Sequence, residues 1–286
     1  MLKYVRTILI GLFCIALLGA AGVYYYVRTH EDYQPPVFHA ESDVIELSVA
    51  DPQEALFQGL SATDDRDGDL TGKIRVKGTT AFTDSANAEF NVSYIVFDSA
   101  SNYATYTRTA RYTDYVSPRF SLAQPMIFGL SETVRFDGTV TVTDQLDGDI
   151  SGRLKLEESN ILNTIPGTYR VLLSATNRMG DTVTLPLTVQ ITENSRSCPK
   201  IELKKYLIYL DVGQKTKYRS YISSVTDPMR KGREDSEEED EPISVKDVSI
   251  NYSEVDTSVP GTYEVYYYYT GISGELATVI LTVVVE

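Results

Sequence analysis

The sequence predicts an all-β protein in which three tandem β-sandwiches follow an N-terminal transmembrane helix. Three observations lead to this prediction. The N-terminus carries one long uncharged apolar stretch, the rest of the chain alternates polar and apolar residues over short runs rich in Val, Ile, Thr and Tyr, and several landmarks recur about every 80 residues. A chain of 286 residues is long enough for two or three small domains.

The apolar stretch Thr7–Val27 has the length of about 20 residues that a membrane-spanning helix needs. Lys3 and Arg6 precede it, and because basic residues favour the cytoplasmic side, we expect the N-terminus inside the cell and everything after the helix outside. A secretory signal cleaved near Ala21 or Gly22 is the alternative. The predicted segments are a cytoplasmic tail (1–6), a membrane anchor (7–27) and a linker (28–35).

A proline marks the start of each predicted sandwich. Pro36, Pro118 and Pro199 each open a short alternating strand, and proline suits such boundaries because it fixes φ and cannot donate a hydrogen bond to a sheet. The predicted sandwiches comprise residues 36–115, 116–196 and 197–286, the last with an acidic insertion at 230–241.

Two motifs recur inside the sandwiches. The segment Thr63–Ile74 (TDDRDGDLTGKI) aligns with Thr143–Leu154 (TDQLDGDISGRL), and the tetrapeptide PGTY begins at both Pro166 and Pro260. The first repeat has a degenerate copy of the tetrapeptide, NAEF at Asn87–Phe90. An alternating strand is predicted from the last residue of each of the three copies, over residues 90–97, 169–176 and 263–270.

A third motif completes the pattern in the first repeat, where Tyr94, Asp98 and Asn102 form a Y-x-x-x-D-x-x-x-N stretch. Together the three motifs resemble the bacterial immunoglobulin-like (Ig-like) repeats found in tandem on Gram-positive surface proteins, pesticidal crystal proteins and extracellular hydrolases. The resemblance is close in the first two repeats and loose in the third, where the D-G-D turn is missing and Gly271 replaces the Asp. It implies an Ig-like sandwich outside the cell, with no reaction and no fixed ligand.

The two D-G-D turns are the candidate metal sites. Each places three carboxylates within six residues, and hard cations such as Ca²⁺ bind six to eight oxygens. The candidate ligands are Asp64, Asp67 and Asp69 in the first turn and Asp144, Asp147 and Asp149 in the second. The alternative is a purely structural turn, because Asp-Gly is itself a turn dipeptide.

The strand from Tyr263 carries a run of four tyrosines, Tyr266, Tyr267, Tyr268 and Tyr269. Alternation predicts that one pair packs in the core and the other lies on the sheet surface, where it could bind a protein or a sugar.

Charge and motif content exclude other classes of function. The net charge of −14 disfavours nucleic acid, whose backbone requires Lys and Arg. The acidic insertion is expected to be a solvated loop or a handle for a basic partner. No nucleophile, zinc or phosphate-binding motif is present, so we expect no enzyme and no cofactor other than Ca²⁺.

The predicted function is therefore that of a membrane-anchored adhesion or interaction module at the cell surface, whose partner is a protein or a cell-surface glycan. The alternative is an accessory subunit that scaffolds a membrane or cell-wall assembly complex.

Overall fold

The structure, a computed structural model, describes residues 2–30, 32–193, 197–230 and 243–286. It begins with one long helix, α1 (Leu2–His30), whose stretch Lys3–Arg28 has a mean hydropathy of 2.2 and none of its apolar window buried. By length and composition, α1 is able to cross a membrane, and it extends beyond the predicted span at both ends. The described residues after His30 form strands and short 3-10 turns only.

In the described part of the chain, twenty strands follow and form three sandwich-like units. The first contains β1 (Val37–Ala40), β2 (Val44–Leu47), β3 (Leu60–Asp64), β4 (Gly68–Asp69), β5 (Arg75–Asp84), β6 (Glu89–Phe97) and β7 (Tyr103–Tyr112). The second contains β8 (Arg119–Leu122), β9 (Ile127–Gly129), β10 (Val140–Asp144), β11 (Gly148–Asp149), β12 (Lys155–Ser159), β13 (Gly167–Thr176) and β14 (Thr182–Thr192). The third contains β15 (Lys200–Leu203), β16 (Leu207–Leu210), β17 (Ile222–Thr226), β18 (Ser249–Asn251), β19 (Gly261–Thr270) and β20 (Leu276–Val285).

The three units share one topology, in which a four-stranded sheet faces a smaller sheet. The large sheets have the orders β2-β7-β6-β5, β9-β14-β13-β12 and β16-β20-β19-β18, and the small ones β1-β3-β4, β8-β10-β11 and β15-β17. In each large sheet the first short strand runs parallel to the last long strand. Among the described residues, the third small sheet has no counterpart of β4 or β11, which agrees with the loss of the D-G-D turn there.

Alternation along the long strands produces the cores. On β6, Phe90, Val92, Tyr94 and Val96 point inward and are almost fully buried, while the residues between them are partly exposed. The strands predicted over 90–97, 169–176 and 263–270 are confirmed as β6, β13 and β19.

The chain divides into two compact units, Met1–Asp114 and Tyr115–Glu286. Within the second unit the second and third sandwiches touch: the Phe120 backbone N–H donates to the Tyr209 hydroxyl at 2.8 Å, and the Arg119 guanidinium lies 4.9 Å from the centre of the Tyr209 ring. The predicted domain boundaries stay predictions, and almost all of the acidic insertion lies outside the described residues.

Candidate functional site

The carboxylates of the first D-G-D turn point to different partners. Asp67 accepts hydrogen bonds from the backbone N–H and the hydroxyl of Ser99, and these bonds lower the pKa of its carboxyl. Asp69 accepts from the Thr71 backbone N–H at 2.9 Å, and its pKa is lowered by its hydrogen bonds to Thr71. The Asp64 carboxylate instead lies close to those of Asp32, in the linker after α1, and Asp98, which follows β6.

The second D-G-D turn is arranged in the same way. Asp147 forms ion pairs with Arg153 at 2.6 Å and Arg178 at 3.1 Å. Asp149 accepts from the hydroxyl and the backbone N–H of Ser151, which lower its pKa. The structure thus separates the three acids within each turn, and Ca²⁺ binding by the turns themselves stays a prediction.

An acidic cluster in the first sandwich joins residues that are far apart in sequence. Asp32 in the linker, Asp64 at the end of β3 and Asp98 after β6 each offer one carboxylate oxygen, and the three oxygens lie within 4.8 Å of one another. We call this set the Asp32–Asp64–Asp98 cluster. Asp64 and Asp98 are buried, being only 9% and 8% exposed, and Asp32 is half-buried.

One oxygen of the cluster has no partner. The Oδ1 atom of Asp64 accepts from the backbone N–H groups of Arg66 and Asp67, both at 2.9 Å. Its Oδ2 atom is buried and has no hydrogen-bond partner among the described residues. A buried carboxylate oxygen that lacks a donor or a cation is costly, so this atom requires an explanation.

Asn102 organises the rest of the cluster. Its side-chain amide donates to Asp98 Oδ2 at 2.7 Å and to the Asp32 carbonyl at 3.1 Å, and its backbone N–H donates to Asp98 Oδ1 at 2.7 Å. This one side chain therefore ties the linker to the β6–β7 turn.

The second sandwich fills the corresponding place with neutral donors. Asn177 stands where Asp98 does, and its amide donates to Asp144 Oδ1 at 3.0 Å and to the Tyr115 hydroxyl at 2.7 Å. Tyr115 in turn donates to Asp181 Oδ2 at 2.8 Å. Burial and these acidic neighbours raise the pKa of Tyr115, so it stays a hydroxyl donor.

In the described part of the third sandwich, one acid lies at this place. Asp227 follows β17, and its carboxylate accepts from the backbone N–H groups of Met229 at 3.0 Å and Ile272 at 2.8 Å. A side chain at Gly271 would place its Cβ atom 2.8 Å from Asp227 Oδ2, so glycine is needed there.

Sequence reasoning identified part of this arrangement. Asp64 and Asp144 were predicted from the D-G-D motif, and Asp98 and Asn102 belong to the motif that carries the resemblance. Asp32 and Tyr115 lie in linkers without any motif, and Asp227 has lost the D-G-D context that would have identified it.

The tyrosine run occupies both faces of β19, as alternation predicts. Tyr267 and Tyr269 are buried in the core, whereas Tyr266 and Tyr268 are half-buried on the other face, where their rings stack in parallel at 6.1 Å. Binding by these tyrosines is untested and stays a prediction.

A cleft of about 690 Å³ lies between the second and third sandwiches. Its polar lining includes Gln190, Lys200 and Glu202, and Cys198 borders it with a thiol whose pKa is raised by burial. Within the described residues, no hydrogen bond or ion pair joins Gln190, Lys200 and Glu202 to one another.

The fold and these sites define the class as a protein of tandem β-sandwich domains behind an N-terminal apolar helix. The chain is weakly homologous to the pesticidal crystal protein Cry22Aa of Bacillus thuringiensis, with 28% identity over 221 residues that cover 76% of this chain. This confirms the resemblance predicted from the motifs. The chain spans only 28% of the length of that relative. No protein-family model matches the chain.

Solved structures offer distant similarities only. One is Drosophila N-cadherin EC1-3, with 14% identity, a TM-score of 0.30, and coverage of 85% of this chain and 97% of that one. Another is a structure of the CBM51-2 and INT domains of Clostridium perfringens ZmpB in complex with GlcNAc, with 18% identity, a TM-score of 0.23, and coverage of 49% and 30%. These TM-scores are too low to bear on function.

Proposed function

We propose that this chain is a single-pass surface protein whose N-terminus lies in the cytoplasm and whose three Ig-like sandwiches lie outside the cell. It acts there as a non-catalytic adhesion or interaction module. The observation that carries the proposal is an exposed helix with an uncharged apolar stretch, Thr7–Val27, that directly precedes a chain built of β-sandwiches.

The helix supports an uncleaved anchor. Its apolar side chains are exposed within the described structure, so the sandwich cores do not cover them. Its uncharged core exceeds the roughly 7–15 residues of a secretory signal. Tyr24, Tyr25 and Tyr26 are exposed near its outer end, where aromatic residues favour the membrane interface.

The acidic residues support a binding role over a catalytic one. Hydrogen bonds lower the pKa values of Asp67, Asp69 and Asp149, whereas a general acid needs a raised pKa. These carboxylates therefore stay ionised at neutral pH.

Topology is tested on the full chain in its own membrane. Fusion of a reporter that is active only outside the cell to Glu286 should give signal, and an N-terminal tag should remain on the full-length protein and stay protected from added protease. Loss of the N-terminal tag from the mature protein would show cleavage and refute the anchor.

The partner is sought by in-cell crosslinking of the tagged chain, followed by mass spectrometry. An adhesion module should lose its captured partner when the stacked pair is removed (Tyr266→Ser with Tyr268→Ser) and keep it when the helix is altered (Gly11→Leu with Gly22→Leu). Both glycines are open to their surroundings, with nothing within 4 Å of an added Cβ.

The same variants test the alternative, an accessory subunit of a membrane or wall-assembly complex. Small residues let transmembrane helices approach closely. Capture of integral membrane proteins that is lost on changing Gly11 and Gly22, but not on changing the tyrosines, would favour this second function.

A further inference from the structure

We propose that the Asp32–Asp64–Asp98 cluster binds one Ca²⁺ ion, which ties the linker after α1 to the first sandwich. The proposal is independent of what the sandwiches bind. It retains Asp64 from the predicted D-G-D ligands and replaces the other two acids of that turn with Asp32 and Asp98.

The first argument is electrostatic. Three carboxylates lie within 4.8 Å of one another, two of them are buried, and no ion pair with Lys or Arg is found for any of them in the described part of the chain. Like charges this close repel strongly when water is excluded. A bound divalent cation converts that repulsion into attraction.

The second argument is the unpartnered oxygen. Because Asp64 Oδ1 is held by two backbone N–H groups, Oδ2 is the atom left for a ligand, and it is buried with no donor among the described residues. The turn thus orients this carboxylate rigidly and leaves one oxygen available for coordination.

The third argument is the comparison within the chain. In the second sandwich, the amide of Asn177 and the hydroxyl of Tyr115 supply donors to the acids at the same place. In the third, backbone N–H groups satisfy Asp227. Among the described residues, the first of these three places alone combines three acids with an unsatisfied oxygen, so the ligand expected there is a cation.

The identity of the cation follows from the ligands and their separation. All three are hard carboxylate oxygens, which suit Ca²⁺ or Mg²⁺. Two oxygens on opposite sides of Ca²⁺ can be about 5 Å apart, whereas Mg²⁺ requires about 4 Å and strict octahedral geometry. The three oxygens lie within 4.8 Å of one another and come from three separate segments of the chain, an irregular set that suits the flexible geometry of Ca²⁺ better than the strict octahedron of Mg²⁺.

The test is hydrogen exchange with mass spectrometry on the full chain in detergent micelles, with Ca²⁺ and with chelator. Ca²⁺ should slow exchange in peptides covering 32–36, 61–69 and 97–103 and leave 175–183 unchanged. Calcium titration should give a Kd of about 10⁻⁴–10⁻³ M for this site, as in extracellular Ca²⁺ modules.

Two variants locate the site. Asp64→Asn keeps an oxygen that can accept from the backbone N–H groups of the turn. It should weaken Ca²⁺ binding at least roughly tenfold, because it removes one of three charged ligands. Asp32→Asn lies outside the sheets and should have the same effect without altering the fold. The matched control, Asp144→Asn in the second sandwich, should leave the response of the first sandwich unchanged.

Three results would overturn the proposal. They are no change in exchange on adding Ca²⁺, a Ca²⁺ response in Asp64→Asn and Asp32→Asn equal to that of the unchanged chain, or protection confined to the acidic stretch 231–242. An equal response to Mg²⁺ at the same concentration would overturn the assignment to Ca²⁺.

Discussion

At the scale of single residues, the D-G-D turns show how backbone geometry dictates sequence. Gly68 and Gly148 both have φ of +71°, in the left-handed region that favours glycine. An added Cβ at either position would meet nothing within 4 Å, so the requirement is conformational rather than steric. Both turns therefore have a glycine at this position because the backbone there is left-handed.

Gly148→Ala should lower the free energy of unfolding by about 1–2 kcal/mol, the cost of a side chain in the left-handed conformation. The matched control is Gly152→Ala, where the backbone is not left-handed and the space is equally open. Denaturant titration compares the two variants. An equal loss of stability in both would contradict the explanation.

A buried arginine is the second feature at this scale. Arg108 is 3% exposed, and its guanidinium donates to the carbonyls of Leu56 at 2.6 Å and Gln58 at 2.8 Å and to the Tyr94 hydroxyl at 3.1 Å. Through these two carbonyl groups, Arg108 holds the connection between β2 and β3 against the large sheet.

Arg108→Met should therefore destabilise the first sandwich by about 3 kcal/mol, because it removes the hydrogen bonds that a buried charged group donates to the Leu56 and Gln58 carbonyls. Arg111→Met on the same strand is the control, since Arg111 makes half-exposed ion pairs with Glu46 and Glu89. Pairs of that kind contribute about 0–1 kcal/mol. Thermal and urea unfolding of both variants checks the difference.

At the scale of elements, β19 shows how one strand serves two surfaces. Tyr267 is fully buried and its hydroxyl donates to the Tyr218 carbonyl at 2.8 Å, whereas Tyr266, on the other face, donates to Glu264. Burial raises the pKa of Tyr267, so its hydroxyl stays protonated and remains a donor at neutral pH.

Tyr267→Phe should cost about 1–2 kcal/mol of unfolding free energy, because the Tyr218 carbonyl loses its donor inside the core. Tyr266→Phe should change stability by no more than about 0.5 kcal/mol, as is usual for surface positions. Urea unfolding followed by tyrosine fluorescence compares them. A larger loss of unfolding free energy in Tyr266→Phe than in Tyr267→Phe would contradict this explanation.

At the scale of the whole molecule, the two compact units Met1–Asp114 and Tyr115–Glu286 should unfold as separate cooperative transitions. Arg108→Met should shift only one transition and Gly148→Ala only the other. Scanning calorimetry of the full chain in micelles makes the measurement. A single transition that both variants shift equally would show that the units are coupled.

Much of the fold could be predicted from the sequence because its signals are local. The alternation of Phe90, Val92, Tyr94 and Val96 places one face of β6 inward whatever its neighbours are. The D-G-D turn is specified by a residue that tolerates φ of +71° and by Asp side chains that cap their own backbone. The apolar stretch of α1 similarly identifies a helix able to span a membrane by its length alone.

The candidate site could be predicted only in part, because it depends on distance in space. Asp64 belongs to a motif, but the motif suggested Asp67 and Asp69 as its companions, whereas the fold directs those two carboxylates to Ser99 and Thr71. What brings Asp32 and Asp98 to Asp64 instead is the packing of two sheets and the entry of the linker beside them.

The sequence by itself thus determined the sandwich class, the main strands and the turns, since each depends on residues a few positions apart. Only the tertiary structure decided that three aspartates separated by more than thirty residues meet in the first sandwich, and that Tyr115 and Asn177 supply neutral donors at the same place in the second. Contacts of this kind depend on the pairing of strands that are far apart in sequence, and no local sequence pattern predicts that pairing.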